Sequence, residues 1–327
     1  MIAAQKVNAG DGVSEAGLEC LVVKTNTLEA TVLPELGGKV ASLRYKGMEL
    51  LQAPLRAYAL RTPGMAFEAS DASGMDECLP SVAACTVKTA GGMVQIPDHG
   101  EFWQRPCAVE RRCGCEVKLT ATGGVFPLRL ERTLRVEGSG LRIDYRLENV
   151  GEVEVPYVWS AHPLFAVEEG DAIVLPESVR ELIVEGSAAG RLGAKGSVVT
   201  WPVAETRGGA RVDLSRAGKP GDEVGDKVYG ACPLSSLADG WAAIERRQAG
   251  VRVQVGFDAV LTPHLGLWFC YGGWPEGQEK RQQCVALEPC SAPVDSLAEA
   301  LERGWARILA PGQAAKWWMT IAVSELL

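Results

Sequence analysis

Three histidines, His99, His162 and His264, are the only side chains of this sequence with an ordinary pKa close to physiological pH, so proton transfer is sought there first. His162 lies in Pro156-Tyr157-Val158-Trp159-Ser160-Ala161-His162-Pro163-Leu164-Phe165, three residues after Trp159 and just before a proline. An imidazole beside a wide aromatic face suits proton transfer to a polyol ring. The plainer alternative is a structural histidine bonded to a carbonyl at a strand end. His99 sits in Pro97-Asp98-His99-Gly100-Glu101-Phe102-Trp103, a loop pattern close to aromatics, where it is either a binding residue or a solvated loop histidine. Glu288, in Leu287-Glu288-Pro289, is a carboxylate in the same kind of strand-then-proline setting as His162. Asp76 and Glu77 are paired before Pro80, and Asp226 opens the run Asp226-Lys227-Val228-Tyr229. Charged residues at strand starts are more often solvated than functional.

These groups need a scaffold, and the patterning supplies strands. Val153, Val155, Tyr157 and Trp159 alternate on one face, and Pro163 is expected to stop that strand. His162 is therefore expected where a strand leaves the sheet, and Pro156 points to an edge or a bulge. Strands are predicted over 18–24, 29–33, 40–45, 108–121, 128–137, 141–149, 242–245, 251–257, 266–270, 284–288 and 316–323. Gly37-Gly38, Gly138-Ser139-Gly140 and Glu148-Asn149-Val150-Gly151 punctuate them as turns. The region 204–226 reads as one long surface loop with a short strand. One helix stands out. Ser296-Leu297-Ala298-Glu299 is a capping box, and Gly304 can end the helix. Many strands with turn signals and few helices predict an all-β, antiparallel sandwich rather than βαβ units.

Composition narrows the partners. The chain has 327 residues with no repeat or linker, and is read as a single domain over 1–327. A net charge of -8 argues against nucleic acid and anionic membrane. The longest apolar stretch, 260–274, is broken by Thr262, Pro263, His264 and three glycines, which leaves no membrane helix. Ten cysteines are diluted over a long chain, and Cys113-Gly114-Cys115 is too tight for a usual zinc pair. With no charged-then-apolar start in Met1-Ile2-Ala3-Ala4-Gln5-Lys6, a cytoplasmic protein with reduced thiols is expected. Nine tryptophans, among them Trp103, Trp159, Trp268 and Trp274 near the segments above, offer flat faces for sugar C–H groups, with core packing as the alternative.

Taken in order, the segments resemble the aldose 1-epimerases (galactose mutarotases) and their hexose-phosphate relatives over almost the whole chain. Leu33-Pro34-Glu35-Leu36-Gly37-Gly38-Lys39-Val40-Ala41-Ser42-Leu43 resembles the opening hairpin, and Pro97-Asp98-His99-Gly100 the first histidine loop. Asn149-Val150-Gly151 with Ser160-Ala161-His162-Pro163-Leu164-Phe165 is similar to the asparagine turn and His-Pro segment. Asp226-Lys227-Val228-Tyr229, Leu287-Glu288-Pro289 and Ala310-Pro311-Gly312 resemble the aspartate segment, the glutamate segment and the last turn.

The resemblance implies a large β-sandwich and an enzyme acting on a small sugar, with no metal or redox cofactor. Ring opening needs a proton taken from the C1 hydroxyl and one given to the ring oxygen, with the roles reversed on closure. Carried over, Glu288 is the base, His162 the acid, His99 supports the ring oxygen and Asp226 binds hydroxyls. An imidazole near its ordinary value of about 6.5 would serve as the acid. Trp159 and Trp103 would line the sugar, and His264 could also reach the cleft. The sugar-gripping arginine of galactose-specific members has no matching segment, and Arg61 is the candidate for it. Asp76 or Glu77 could bond sugar hydroxyls instead, and would disfavour a phosphate. Two other readings stay open. One is a non-catalytic sugar-binding protein. The other is a glycosidase or lyase, with Asp76 or Glu77 and Glu288 as its carboxylate pair.

Overall fold

The computed structural model describes residues 3–6, 17–89, 92–231, 234 and 240–326, with backbone alone at 3–6 and 111–113. Met1, Ile2 and the Cys113 thiol lie outside the described residues.

Alternation builds two large antiparallel sheets. In Leu128–Glu137 and Gly140–Asn149 every second residue is buried, and the two strands pair along their whole length from Leu128↔Asn149 to Glu137↔Gly140. They belong to an eight-stranded sheet that runs Ala172–Val174, Trp241–Arg246, Val251–Phe257, Ala314–Glu325, Gly140–Asn149, Leu128–Glu137, Glu116–Thr122, Ala108–Cys113. The predicted strand over 108–121 is two strands, because residues 114 and 115 turn the chain between them.

The second sheet has twelve strands and carries the site. Its middle runs Lys39–Tyr45, Met75–Cys78, Ser160–Ala166, Gln283–Cys290, His264–Tyr271, Val224–Gly230 and Glu181–Ser187. Its inner face sends Leu21, Val32, Leu43, Ala161, Val228, Leu267 and Leu287 into one core with Leu130, Ile143, Val255 and Ile321 of the other sheet. Each of the leucines, valines and isoleucines among them adds about 1.5–3 kcal/mol on full burial. The helix is Leu297–Glu302, capped by Ser296, whose hydroxyl accepts from the Glu299 amide at 3.4 Å. No helix of the described residues is long and apolar enough to cross a membrane.

Three sequence expectations change. Pro163 does not end a strand: His162 and Pro163 both lie inside Ser160–Ala166. The strand ending before it is short, Val155–Tyr157, and pairs only with Arg307–Leu309, which accommodates Pro156 at a two-stranded edge. The expected loop over 204–226 holds a small hairpin, Val203–Glu205 with Arg211–Asp213, and Asp226 is inside the central strand Val224–Gly230.

Candidate active site

The outer face of the twelve-stranded sheet is where the polar residues gather. Ser160 pairs with Cys290 and Leu164 with Ala286, so His162 and Glu288 face each other at the midpoint of neighbouring strands. Pro163 and Pro289 sit beside them, and neither has an N–H to close the ladder there. On the other side of Glu288 stands Gly266, followed across the next strand by Tyr229. One row of the sheet thus reads Asp76, His162, Glu288, Gly266, Tyr229.

The chemistry of that row is uneven. Glu288 is fully buried. Its Oε2 receives the Lys227 ammonium and, at 3.4 Å, the Ser160 hydroxyl. Its Oε1 has no hydrogen-bond partner among the described residues and lies 3.7 Å from His162 Nε2, too far for a hydrogen bond. His162 Nδ1 is also unpartnered. Burial, then the nearby His99 and Lys227, hold the His162 imidazole well below its usual value, and Asp76 offsets this only in part. This corrects the expectation of an ordinary imidazole: the resting ring is neutral. Lys227 goes the other way. Burial opposes its charge, but Glu288 and Asp295 outweigh burial and raise it.

A loop covers this row. His99 has a left-handed backbone (φ 57°), and Gly100 after it passes so close to Leu79 that a Cβ there would meet the Leu79 carbonyl at 2.1 Å. The His99 ring stacks on Phe67 with centroids 4.1 Å apart and stands 5.2 Å from the His162 ring. Its Nδ1 is 2.9 Å from Asp98 Oδ1. Between loop and sheet is a cavity of about 280 Å³, at the small end of ligand pockets. His99, His162, Lys227, Glu288 and Asp295 line it, with Phe67, Trp268 and Trp274 as apolar walls.

Of the residues singled out in the sequence, the structure brings His99, His162 and Glu288 together, with Trp268 and Trp274 as walls, and leaves Asp226, Glu77, Trp159, Trp103, Asp76, Arg61 and His264 outside the cavity. Asp226 points to the opposite face from Lys227. Its carboxylate is taken by the Ser187 hydroxyl at 2.6 Å and by Arg191. Glu77 points into the core, where Arg132, Tyr145 and Trp159 donate to it at 3.1, 2.9 and 2.9 Å. Burial raises its pKa despite those donors. Trp159 is therefore a core residue, packed edge-on to Tyr145 and Trp317. Trp103 is also buried, its indole donating to the Asp98 and Gly100 carbonyls and so fixing the His99 loop. Asp76 shares the outer face but is held by Arg61 at 2.9 Å and Lys39 at 2.5 Å. Arg61 is buried over the Trp103 ring and grips Asp71 as well. His264 lies at the start of its strand outside the cavity, and burial and Arg307 lower it to about 4.

Lys227, Asp295, Phe67 and Gln282 were not singled out. Strand parity could have found Lys227, since in Val224–Gly230 the apolar residues Val224 and Val228 share a face with Asp226, not with Lys227. Asp295 lies in an irregular segment and Phe67 opens a single 3-10 turn, Phe67–Ala69, and neither carries such a signal. Among the described residues no group of histidine, cysteine or acid side chains has the geometry to hold a metal ion.

No family model and no curated protein matches the chain. Solved structures do. A suspected aldose 1-epimerase from Escherichia coli K12 superposes with a TM-score of 0.70 at 18% identity, over 95% of this chain and 100% of that one. A galactose mutarotase-like protein from Clostridium acetobutylicum gives 0.67 at 15%, over 94% and 96%. Another, from Lactobacillus casei, gives 0.65 at 16%, over 93% and 100%. At these identities the likeness is one of fold, and the chain has the all-β sandwich of the galactose mutarotase-like proteins.

Proposed function

We propose that the protein interconverts the anomers of a neutral aldose by acid–base opening and reclosure of its ring. The observation that carries this reading is the pair Glu288 Oε1 and His162 Nε2, 3.7 Å apart, with the carboxylate oxygen unpartnered and both residues lining a cavity walled by Phe67, Trp268 and Trp274. A sugar hydroxyl set against Glu288 Oε1 would give it the hydrogen bond it lacks.

Glu288 takes the proton from the C1 hydroxyl. The ring oxygen takes one from the pair His99 and His162, whose rings stand 5.2 Å apart with Asp98 behind His99. Burial, with the charges around it, holds the His162 imidazole well below its usual value. After rotation about C1–C2 the transfers run backward. The aromatic walls suit the C–H faces of the sugar. Glu68, Asp98, Glu288 and Asp295 line the cavity against one cation, Lys227, already engaged by Glu288. That balance favours a neutral sugar over a phosphorylated one. The glycosidase reading loses its pair, since Glu77 is in the core and Asp76 is locked to Arg61 and Lys39.

Polarimetry on a freshly dissolved single anomer tests the reading. The wild type should speed equilibration, and Glu288→Gln should lose about 10²–10⁴-fold of that rate, the scale of one positioned acid–base group. A Glu288→Gln protein as fast as the wild type sinks the assignment.

A further inference from the structure

We propose that Lys227 is a positioning residue: it holds one oxygen of Glu288 and turns the other toward His162 and the cavity. This rests on the acid–base reading above and goes beyond it, because the segment that holds Lys227 points to Asp226 and not to the lysine.

A carboxylate has two equivalent oxygens, and free rotation would present either of them. Lys227 removes the equivalence by binding Oε2, with the Ser160 hydroxyl on the same atom. Only Oε1 is left without a partner. Lys227 arrives from two strands away, and the strand between supplies Gly266. A Cβ at Gly266 would stand 3.3 Å from Lys227 Nζ, 3.4 Å from Glu288 Cβ and 3.0 Å from the Tyr229 ring. The sheet is bare where the ammonium crosses it. Beyond, the Tyr229 hydroxyl donates to Asp295 Oδ1 at 2.5 Å, and that oxygen is 3.8 Å from Lys227 Nζ. Lys227 is thus held on the far side by a carboxylate that is itself tied down.

The same charge also acts on His162. The groups bearing on that ring are Glu288 on one neighbouring strand, Asp76 on the other, Lys39 on the strand beyond, His99 from the covering loop, and Lys227. Removing Lys227 takes away one of the cations that disfavour the imidazolium.

The test is Lys227→Gln, read by polarimetry and by NMR titration of the three imidazoles. Loss of alignment should lower kcat for anomer exchange by about 30-fold or more while KM stays within about threefold. His162 should titrate about one pH unit higher than in the wild type. A merely structural lysine would move neither the kcat-to-KM split nor the titration. The proposal is overturned if kcat stays within twofold, if the loss is all in KM, or if His162 titrates where it did. A wild type that does not exchange anomers removes the enzymatic reading, and the imidazole titration still decides whether Lys227 governs the site. If Lys227→Gln does not fold, Lys227→Arg carries the question. Its charge is kept, so His162 should titrate unchanged, while the broad guanidinium cannot take the ammonium's place and exchange should fall about three- to tenfold. An arginine variant at full speed overturns the positioning role.

Discussion

Two charge clusters lie side by side on one sheet, and they differ in whether their carboxylate oxygens are all taken. The first joins Lys39, Arg61, Asp71 and Asp76. Both oxygens of Asp71 and both of Asp76 are taken, by Lys39 at 3.0 and 2.5 Å and by Arg61 at 2.8 and 2.9 Å. The second joins Lys227, Glu288, Asp295 and His162, and it leaves Glu288 Oε1 and His162 Nδ1 unpartnered among the described residues. Each has a fully buried centre: Lys39 and Glu288 are each 0% exposed. What separates them is the cavity, which meets only the second. Charge and burial alone therefore do not mark a functional site. An unsatisfied atom facing open space does.

If the first cluster is purely structural, breaking it should cost stability and little else. Asp71→Ala should lose about 3–5 kcal/mol, because two buried cations lose a shared partner. Denaturant unfolding measures the loss, and the folded fraction should still exchange anomers within a few-fold of the wild type. A stable Asp71→Ala protein with dead chemistry would erase the distinction between the clusters.

Acid should separate the clusters by pH. A histidine whose folded pKa is lowered protects the fold above its unfolded value, and that stability is lost as pH falls below about 6.5. His162 acts in this window, and so does His264, lowered to about 4. Asp71 is different. Burial opposes its charge, but Lys39 and Arg61 outweigh burial and bring it to about 2, so its contribution is intact above the ordinary value and lost only as pH falls toward 2. Unfolding free energy against pH should fall in two stages. His162→Asn should shrink the upper one and leave the lower. The smallest effect is expected at Asp226→Asn, whose site is the opposite face: exchange should stay within about twofold, with about 1–3 kcal/mol of stability lost at the Ser187 and Arg191 contacts.

The all-β architecture was legible because period-two burial survives in the long strands: Leu128–Glu137 and Val251–Phe257 match their predicted ends. His162 was legible as one of three histidines, set beside a proline, and Glu288 as a carboxylate in the same strand-then-proline setting. Asp76, Glu77, Trp103 and Trp159 misled for one reason. A buried ion pair or indole bond reads in sequence like a binding group. The cluster around Arg61 and Lys39 joins the segment 34–43 to residues 61 and 71–76, and no local pattern reports that contact.

The adjacency of Asp226 and Lys227 has a further consequence for how this strand tolerates change. An insertion or deletion of one residue in Val224–Gly230 would set Asp226 against Glu288 if the strand slips one way, or Lys227 against Arg191 if it slips the other. Attraction would become repulsion at one site, and the other would lose its charged partner. Like-charge penalties would then penalise misalignment of that strand, a safeguard that hydrophobic patterning alone does not supply.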